Sequence, residues 1–426
     1  MIKIRPFRRK SLHYLEFNLF HLVSNYLKAL LSKGVGVIYS LILLKLLAIF
    51  LPDEDFSNYY IFYNVALYSY NILFTIQGSA ILRYYYIKGE EDILDFVNTL
   101  NTFSVLFNFC VFIILFFFSF INVYTLIVVF VLIQSFGLFN NEINYLRIKH
   151  SFDKVLYLLL IQAFLAIVGI LLFREVLEFR VVLMIIGLSF LTSSFLFQTK
   201  NRHSFFRKIN LDLLKINIDI IKYAAPIVFI ALATSTMSSM DQIILKYYNY
   251  SEGLSAYIAN YTIAEKSVVF LLSVITLVFV PTVFKKYDKL SLNVFKDIYR
   301  VVLIFISISI MLLVALFFLS DFLTISLTNK EFVEYSWVVP YITFGGLFLG
   351  INSIVSEVFT IAKKTIILMY SYILGMVANL ILNIIFIPVY GIIGAIFTTI
   401  SSYIIMLIIT LTLAYKEYKI LKNNGV

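Results

Sequence analysis

Charged residues are scarce in this sequence. Only 14% of its 426 residues are Asp, Glu, Lys or Arg, whereas about 25% is usual for a soluble domain. Hydrophobic residues make up 61% of the chain, and the mean hydropathy is +0.94. So apolar a chain cannot present a charged surface to water, which excludes a soluble enzyme.

The residues that build metal, redox and nucleotide sites are also few. Cys110 is the single cysteine, which excludes a disulfide framework and a cysteine-based zinc or iron–sulfur site. Four histidines lie at or near predicted helix ends, without paired spacing: His13, His21, His150 and His203. No Gly-rich phosphate loop occurs, so we expect neither ATP hydrolysis nor a bound metal or cofactor. An H⁺ or Na⁺ gradient, or a partner, would then supply any energy needed.

Long hydrophobic runs are abundant. A helix needs about 20 mostly apolar residues to cross a bilayer. Twelve segments qualify: 22–50, 59–82, 99–120, 122–146, 155–173, 180–199, 222–246, 255–283, 300–319, 335–361, 365–387 and 391–414. The sequence therefore predicts an all-α polytopic membrane protein with about twelve transmembrane helices. Its shortest turn is Ser119 to Val123, between the third and fourth segments.

The positive charges predict the orientation of these helices. The net charge is +10, and most of the 34 lysines and arginines fall at the N-terminus, in the even-numbered connections and in the tail. Only four lie in the opposite loops: Arg174, Arg180, Lys246 and Lys330. Lys and Arg accumulate in cytoplasmic loops. We therefore expect a cytoplasmic-membrane protein with both termini inside, and no nucleic-acid partner.

The two halves of the chain resemble each other. Leu44-Lys45 leads through an acidic turn to Tyr59-Tyr60-Ile61, and Leu245-Lys246 leads through a similar turn to Ala256-Tyr257-Ile258. Six spans per half make these parallel repeats, for which a site at their interface near the bilayer midplane is typical. The pattern predicts two six-helix bundles, 1–206 and 207–426, around a central cavity.

Ionisable residues inside the predicted spans are the candidate functional residues, because each costs about 2.5–3.5 kcal/mol at the bilayer centre unless it has a partner or a cavity. Lys33 and Glu265 each lie about 16 Å inside their helices, near the midplane. We expect both to face a water-filled cavity. For Lys28, Lys45 and Lys246 we favour snorkelling to the membrane interface.

Stripes of small and polar residues run along three of the helices. One stripe contains Lys33, Gly36 and Ser40, a second Thr234, Ser238 and Asp241, and a third Gly346, Gly350, Ser353 and Glu357. Such stripes line a cavity or allow close helix packing. For Gly346 and Gly350 we expect packing.

Several segments resemble bacterial polysaccharide flippases. The stretch 379–395 contains Asn379, Asn383, Pro388, Gly391 and Gly394, similar to the Asn, Pro and Gly signature of the last two helices in that family. Tyr223-Ala-Ala-Pro226, Met240-Asp241 and Leu51-Pro52 resemble further family stretches. The family is the O-antigen and capsule-unit (Wzx-type) branch of the multidrug/oligosaccharidyl-lipid/polysaccharide (MOP) exporter superfamily, and the resemblance extends over essentially the whole chain.

This resemblance implies a transport function without catalysis. Such a protein moves an undecaprenyl-diphosphate-linked oligosaccharide from the cytoplasmic to the periplasmic leaflet by alternating access, beside a polysaccharide polymerase and a chain-length regulator. Helices 1, 2, 7 and 8 border the cavity in this fold. The implied substrate-binding residues are Lys33, Arg83, Asp241, Glu265 and Lys266, with Lys28, Glu142 and Glu357 as secondary candidates.

Three alternatives remain at this point. Drug or cation export on the same fold would favour an anionic cavity, whereas the candidate set mixes both signs. A polytopic polysaccharide polymerase or glycosyltransferase would usually carry a sizeable outer loop, which the short connection around Arg174 and Arg180 does not provide. A purely structural membrane protein would gain nothing from buried charges.

Overall fold

The fold was analysed in a computed structural model, which describes residues 10–117, 122–197, 217–250, 253–286, 290–362 and 364–423. We number the helices α1 to α12 along the chain. The first ten are α1 Lys10–Phe50, α2 Asp53–Lys88, α3 Glu90–Phe117, α4 Val123–Ile148, α5 Phe152–Leu172, α6 Phe179–Phe197, α7 Ile218–Tyr247, α8 Leu254–Lys286, α9 Leu292–Leu327 and α10 Val338–Ile361. Short 3₁₀ turns at Arg174–Val176 and Lys330–Tyr335 precede α6 and α10.

The last helical run, Thr365–Asn423, contains two helices. Its 59 residues would extend about 90 Å as one helix, three times the thickness of a hydrocarbon core. Gly391 interrupts it with φ 54° and ψ −128°, just after Pro388. We call 365–390 α11 and 392–423 α12. Among the described residues, eleven helical segments are long and apolar enough to cross a membrane, and this division makes twelve. The predicted multi-pass, all-α membrane protein is confirmed.

Local chemistry explains where several helices begin. Pro52 precedes α2, and Asp53, Glu54 and Asp55 occupy its first turn, where negative side chains interact favourably with the helix dipole. The Asn122 side chain caps α4 by accepting a hydrogen bond from the Tyr124 backbone N–H at 2.8 Å. Glu90, Glu91 and Asp92 likewise occupy the first turn of α3.

Some glycines lie where two helices approach closely, whereas others border open space. A Cβ atom built at Gly350 would lie 2.1 Å from the Phe305 ring, and one at Gly346 would lie 2.8 Å from Val268. The predicted packing role of these two glycines is confirmed. A Cβ built at Gly34 or Gly36 would meet no atom within 4 Å. The stripe that follows Lys33 on α1 therefore borders open space.

The division into bundles at 206/207 stays a prediction, because this boundary lies outside the described residues. We use "first half" for α1–α6 and "second half" for α7–α12. Within the first half α4 packs on α2 and α6, and within the second half α10 packs on α8 and α9. The halves meet mainly where α2 packs against α7 and α1 against α8. The predicted turn between the third and fourth spans lies mostly outside the described residues.

Candidate functional site

Polar side chains hold the two halves together along α2 and α7. Asn64 Nδ2 donates to Gln242 Oε1 at 3.1 Å. One helical turn further along α2, the Tyr68 hydroxyl is 2.8 Å from Ser239 Oγ. Asn71 Nδ2 donates to Ser235 Oγ at 2.7 Å. We call this row of contacts the α2–α7 seam; it is polar where most membrane helix contacts are apolar or made by small residues.

Both ends of the seam are closed by side chains from the two halves. At one end the Arg83 guanidinium lies 3.9 Å from the centroid of the Tyr223 ring. Lys88 Nζ donates to Asn217 Oδ1 and Asp219 Oδ1, each at 2.9 Å. We call this end, where most Lys and Arg residues lie, the basic side.

The opposite side of the bundle is closed by three hydrogen bonds between the two halves. Lys246 hydrogen-bonds to Asn58 Oδ1, and Ser255 Oγ donates to the Asp53 carbonyl at 2.6 Å. Lys45 Nζ donates to the Thr328 carbonyl at 2.5 Å, beyond the C-terminal end of α9. Lys45 and Lys246, which correspond in the predicted repeat, therefore each bridge the two halves at the same side of the bundle.

A cavity of about 100 Å³ lies between α2, α7 and α8. Its walls carry phenols, amides and hydroxyls with one ion pair: Tyr60, Tyr63, Asn64, Leu67, Ser235, Ser238, Ser239, Gln242, Tyr261, Thr262, Glu265 and Lys266. Lys266 Nζ is 2.9 Å from Glu265 Oε2. Because the two charges cancel, the wall is polar but close to neutral. Of the five primary candidates, the structure places Glu265 and Lys266 in this cavity.

Asp241 does not line this cavity, contrary to its predicted place. Its carboxylate is buried inside the second half, where it accepts hydrogen bonds from the Tyr257 hydroxyl at 2.5 Å and the Thr399 hydroxyl at 3.4 Å. The pattern of small residues on α7 did indicate a polar face. Ser238 on that face lines the cavity. Asp241, three residues further along α7, points instead toward Tyr257 on α8 and Thr399 on α12.

A second polar cluster joins α11 to α12 within the second half. Asn383 Nδ2 donates to Asn379 Oδ1 at 3.0 Å, and Asn379 Nδ2 donates to Ser402 Oγ at 3.2 Å. Thr398 donates to Asn383. The Asn residues of the family-like stretch therefore hold the α11–α12 hairpin together, since all four side chains are fully buried.

Lys33 lies nearer the basic side than its predicted midplane position. Five residues before it, Lys28 forms an ion pair with Asp153 at 2.8 Å at the start of α5. Lys33 is therefore only about 8 Å beyond that ion pair, and the cavity that contains Glu265 does not include it. The sequence predicted that Lys33 and Glu265 both face a water-filled cavity near the midplane. In the structure Glu265 lines the cavity, and Lys33 lies on α1 outside it.

Arg147 is one of the cations that the sequence places in the connections between the predicted spans. Arg147 lies in the last turn of α4 with a half-buried side chain, whereas the Lys33 side chain on α1 is exposed. Within the described part of the chain, neither side chain has a hydrogen bond or an ion pair. No feature of the sequence places Arg147 inside the helix bundle, because it follows the apolar stretch of α4 as loop residues do.

The other candidates are dispersed. Arg83 is exposed at the basic end of the seam, and Lys28 forms the ion pair with Asp153, as expected for a residue at the interface. Glu142 is fully buried in α4 of the first half. Glu357 lies on α10, where its Oε2 atom is buried without a hydrogen bond. None of these four lines the cavity.

Solved structures share this fold at low sequence identity. The lipid II flippase MurJ in an inward closed conformation superposes with a TM-score of 0.67 at 16% identity, over 94% of this chain and 90% of that one. A MOP-superfamily transporter from Pyrococcus furiosus, described as having a binding pocket of reverse polarity, gives 0.65 at 13%, over 94% and 96%. An inward-facing multidrug resistance MATE transporter gives 0.64 at 13%, over 94% and 96%.

The sequence matches no protein-family profile and no curated protein. At 13% to 16% identity the structural likeness shows the fold, which is that of MOP-superfamily transporters. The neighbours include both a lipid flippase and multidrug transporters, so the shared fold does not distinguish between these two functions.

Proposed function

We propose that this protein transports a polyprenyl-diphosphate-linked oligosaccharide across the cytoplasmic membrane, with both termini inside, as a Wzx-type flippase. The observation that carries the proposal is the polar, near-neutral contact between the halves. Sugars present hydroxyl groups that both donate and accept hydrogen bonds. The seam and the cavity offer matching amides and hydroxyls, with tyrosine rings on which a sugar face can stack.

The size of the cavity supports transport by alternating access. About 100 Å³ is well below the 300–1,000 Å³ of ordinary ligand pockets, so an oligosaccharide can enter only when the halves separate. The seam is suited to such separation. Its hydrogen bonds, such as those of Asn64 and Asn71, exchange for bonds to water or sugar with little net cost, because each lost bond is replaced.

The alternative, export of drugs or cations, is favoured by the multidrug transporters among the structural neighbours. A cationic substrate would require an unpaired carboxylate in the cavity. The carboxylate there is Glu265, which Lys266 already neutralises at 2.9 Å. The charge balance of the cavity therefore supports a neutral, hydroxyl-rich cargo over a cation.

We further propose that an H⁺ or Na⁺ gradient supplies the energy. Asp241 supports this idea, because its buried carboxylate is held by hydroxyl and backbone N–H donors and has no cationic partner among the described residues. A bound proton or cation would neutralise it. Changing Asp241 to Asn should make transport independent of the imposed ion gradient, whereas gradient-dependent transport by the variant would exclude Asp241 as the coupling residue.

The decisive experiment is transport by purified protein in proteoliposomes. Vesicles would contain a polyprenyl-diphosphate-linked oligosaccharide, and a soluble lectin would report sugar that reaches the outer leaflet. Parallel vesicles would test ethidium uptake. We expect lectin binding that depends on the protein, and its loss in Tyr63→Ala and Lys266→Met. The control is Tyr370→Ala, whose side chain is 58% exposed on α11. Ethidium transport without sugar exposure would refute the proposal in favour of drug export.

A further inference from the structure

The basic-side ends of α9 and α12 meet in the second half, outside the cavity between the halves. The rings of Phe295 and Tyr418 contact each other there, with centroids 5.4 Å apart. Both helices leave the hydrocarbon part of the membrane close to this contact, because the apolar run of α9 begins at Val301 and that of α12 ends at Ala414. The two helix ends therefore lie at the membrane interface on the basic side.

Five exposed side chains lie on one side of this ring contact. An α-helix turns by about 100° per residue, so each of the five is turned from Phe295 or Tyr418 by about 40–100° in the same sense along its own chain. Because α9 and α12 run in opposite directions, equal turns bring these side chains to the same side of the contact. We call the five residues the basic–aromatic patch: Lys296, Tyr299, Tyr415, Lys419 and Lys422.

The three lysines of the patch have no carboxylate partner in the described part of the chain. The acidic residues beside them in sequence are engaged elsewhere. Glu417 accepts hydrogen bonds from Lys364 at 2.6 and 2.7 Å, and Asp297 pairs with Arg300 at 3.7 Å. The patch therefore differs from other basic-side positions, where a carboxylate neutralises the lysine: Lys28, Lys88 and Lys149.

The two tyrosines of the patch lie at the depth of the membrane interface. Tyr299 precedes the apolar run of α9 by two residues, and Tyr415 directly follows that of α12. Their side chains are 63% and 58% exposed, so both rings face the surroundings of the protein. Lys419 Nζ lies 5.3 Å from the centroid of the Tyr415 ring. Aromatic rings at this depth contact the headgroup region, while lysines beyond them extend outward to phosphates.

We propose that the basic–aromatic patch binds a phospholipid whose headgroup carries two phosphates, in the membrane leaflet at the basic side. Clusters of basic residues next to membrane helices attract anionic lipids. Three unneutralised cations spread over two helix ends match two phosphates better than one. The rings of Tyr299 and Tyr415 pack against the glycerol and the upper part of the chains. This inference does not depend on the transport function, because the patch lies outside the cavity and the α2–α7 seam.

Substitution of the patch lysines should weaken lipid binding. Lys296→Gln and Lys419→Gln should each raise the Kd by about fivefold, and together by more than about tenfold, as expected for the loss of one basic residue at an anionic membrane surface. The matched control is Lys416→Gln. Lys416 is exposed on the same helix and carries the same charge, but it is turned by about 160° from Tyr418, away from the patch. We expect less than a twofold change.

The experiment measures the melting temperature of the purified full-length protein in detergent during titration with three probes. Cardiolipin provides two phosphates on a lipid, phosphatidylglycerol provides one, and inorganic pyrophosphate provides a soluble pair. We expect cardiolipin to stabilise wild type more than phosphatidylglycerol at equal total charge, and pyrophosphate to have no effect. Without lipid, the three Gln variants should melt like wild type, since the substituted side chains are exposed. Native mass spectrometry should detect bound cardiolipin on wild type and its loss in the Lys296→Gln/Lys419→Gln double variant.

Several results would overturn the proposal. Equal stabilisation by phosphatidylglycerol would indicate general attraction to anionic lipid, and stabilisation by pyrophosphate would assign the patch to a soluble phosphate compound. Unchanged cardiolipin binding in the double variant, or an equal loss in Lys416→Gln, would place the lipid elsewhere on the protein. Wild type that shows no preference for cardiolipin would also contradict the proposal, as expected if the patch instead contacts an acidic segment of another protein.

Discussion

Gly391 at the α11–α12 turn offers a direct test of how the fold is built. Its φ of 54° with ψ of −128° belongs to a region that side chains beyond glycine rarely adopt, and such a conformation costs about 1–3 kcal/mol for another residue. A Cβ atom there would also lie 2.9 Å from Cε1 of Tyr250. The ring would have to move, which would strain the hydrogen bond from its hydroxyl to the Pro388 carbonyl at 3.1 Å.

We therefore expect Gly391→Ala to lower the free energy of unfolding by about 2–4 kcal/mol, from the backbone conformation and from about 1 kcal/mol for the lost hydrogen bond. The measurement is an SDS titration of the purified protein in mixed micelles, followed by circular dichroism. Gly34→Ala is the matched control. Its site is open and helical, so it should be neutral or stabilising by up to about 1 kcal/mol.

A double variant separates the two contributions. In a Tyr250→Ala background the ring is gone, so Gly391→Ala should still cost about 1–3 kcal/mol from the backbone alone. A loss of less than about 0.5 kcal/mol in the wild-type background would refute the argument. Disappearance of the whole cost in the Tyr250→Ala background would assign it to the ring and not to the backbone.

Three further substitutions test the packing and the seam. Gly350→Ala should destabilise by about 1–3 kcal/mol, because its Cβ would lie 2.1 Å from the Phe305 ring; a neutral result in SDS titration would contradict the close approach of α9 and α10. Asn383→Leu should cost about 1–3 kcal/mol by removing the buried contacts between α11 and α12, whereas the lipid-exposed Ile384→Leu should be neutral. Tyr68→Phe removes the seam contact with Ser239 at 2.8 Å, so we expect a loss of only about 0.6 kcal/mol of stability. The rate of sugar exposure in proteoliposomes should nevertheless change. An unchanged rate would argue against opening of the seam as a step in transport.

Much of the fold was predictable because hydrophobic length and charge position are local properties. Twelve apolar runs predicted the twelve helices, including the division near Gly391, since each run must span the bilayer by itself. The packing of Gly346 and Gly350 also followed from their spacing on one helix face. The helix ends were less predictable. The helix α2 extends to Lys88 and α3 begins at Glu90, because polar residues prolong a helix beyond its hydrophobic part without changing its hydropathy signal.

The site was only partly predictable, because the position of a charged residue within an apolar run does not determine which neighbouring helix its side chain faces. The sequence identified Glu265 and Lys266 as intramembrane charges, and they do line the cavity. It also marked Asp241, which the rotation of α7 directs toward Tyr257 and Thr399 instead. Arg147 follows an apolar run, as residues of a connecting loop do, but it lies in the last turn of α4.

By itself, then, the sequence determined that this chain is a multi-pass helical membrane protein, because the cost of exposing apolar or burying charged groups applies to each segment separately. Only the tertiary structure decided which charges neutralise each other and which remain unpaired. Lys28 on α1 reaches Asp153 on α5, and Lys45 reaches the Thr328 carbonyl at the end of α9, but Lys33 forms no ion pair among the described residues. Pairing depends on distances of a few ångströms between helices, which crossing and rotation set and which no periodicity along one helix records.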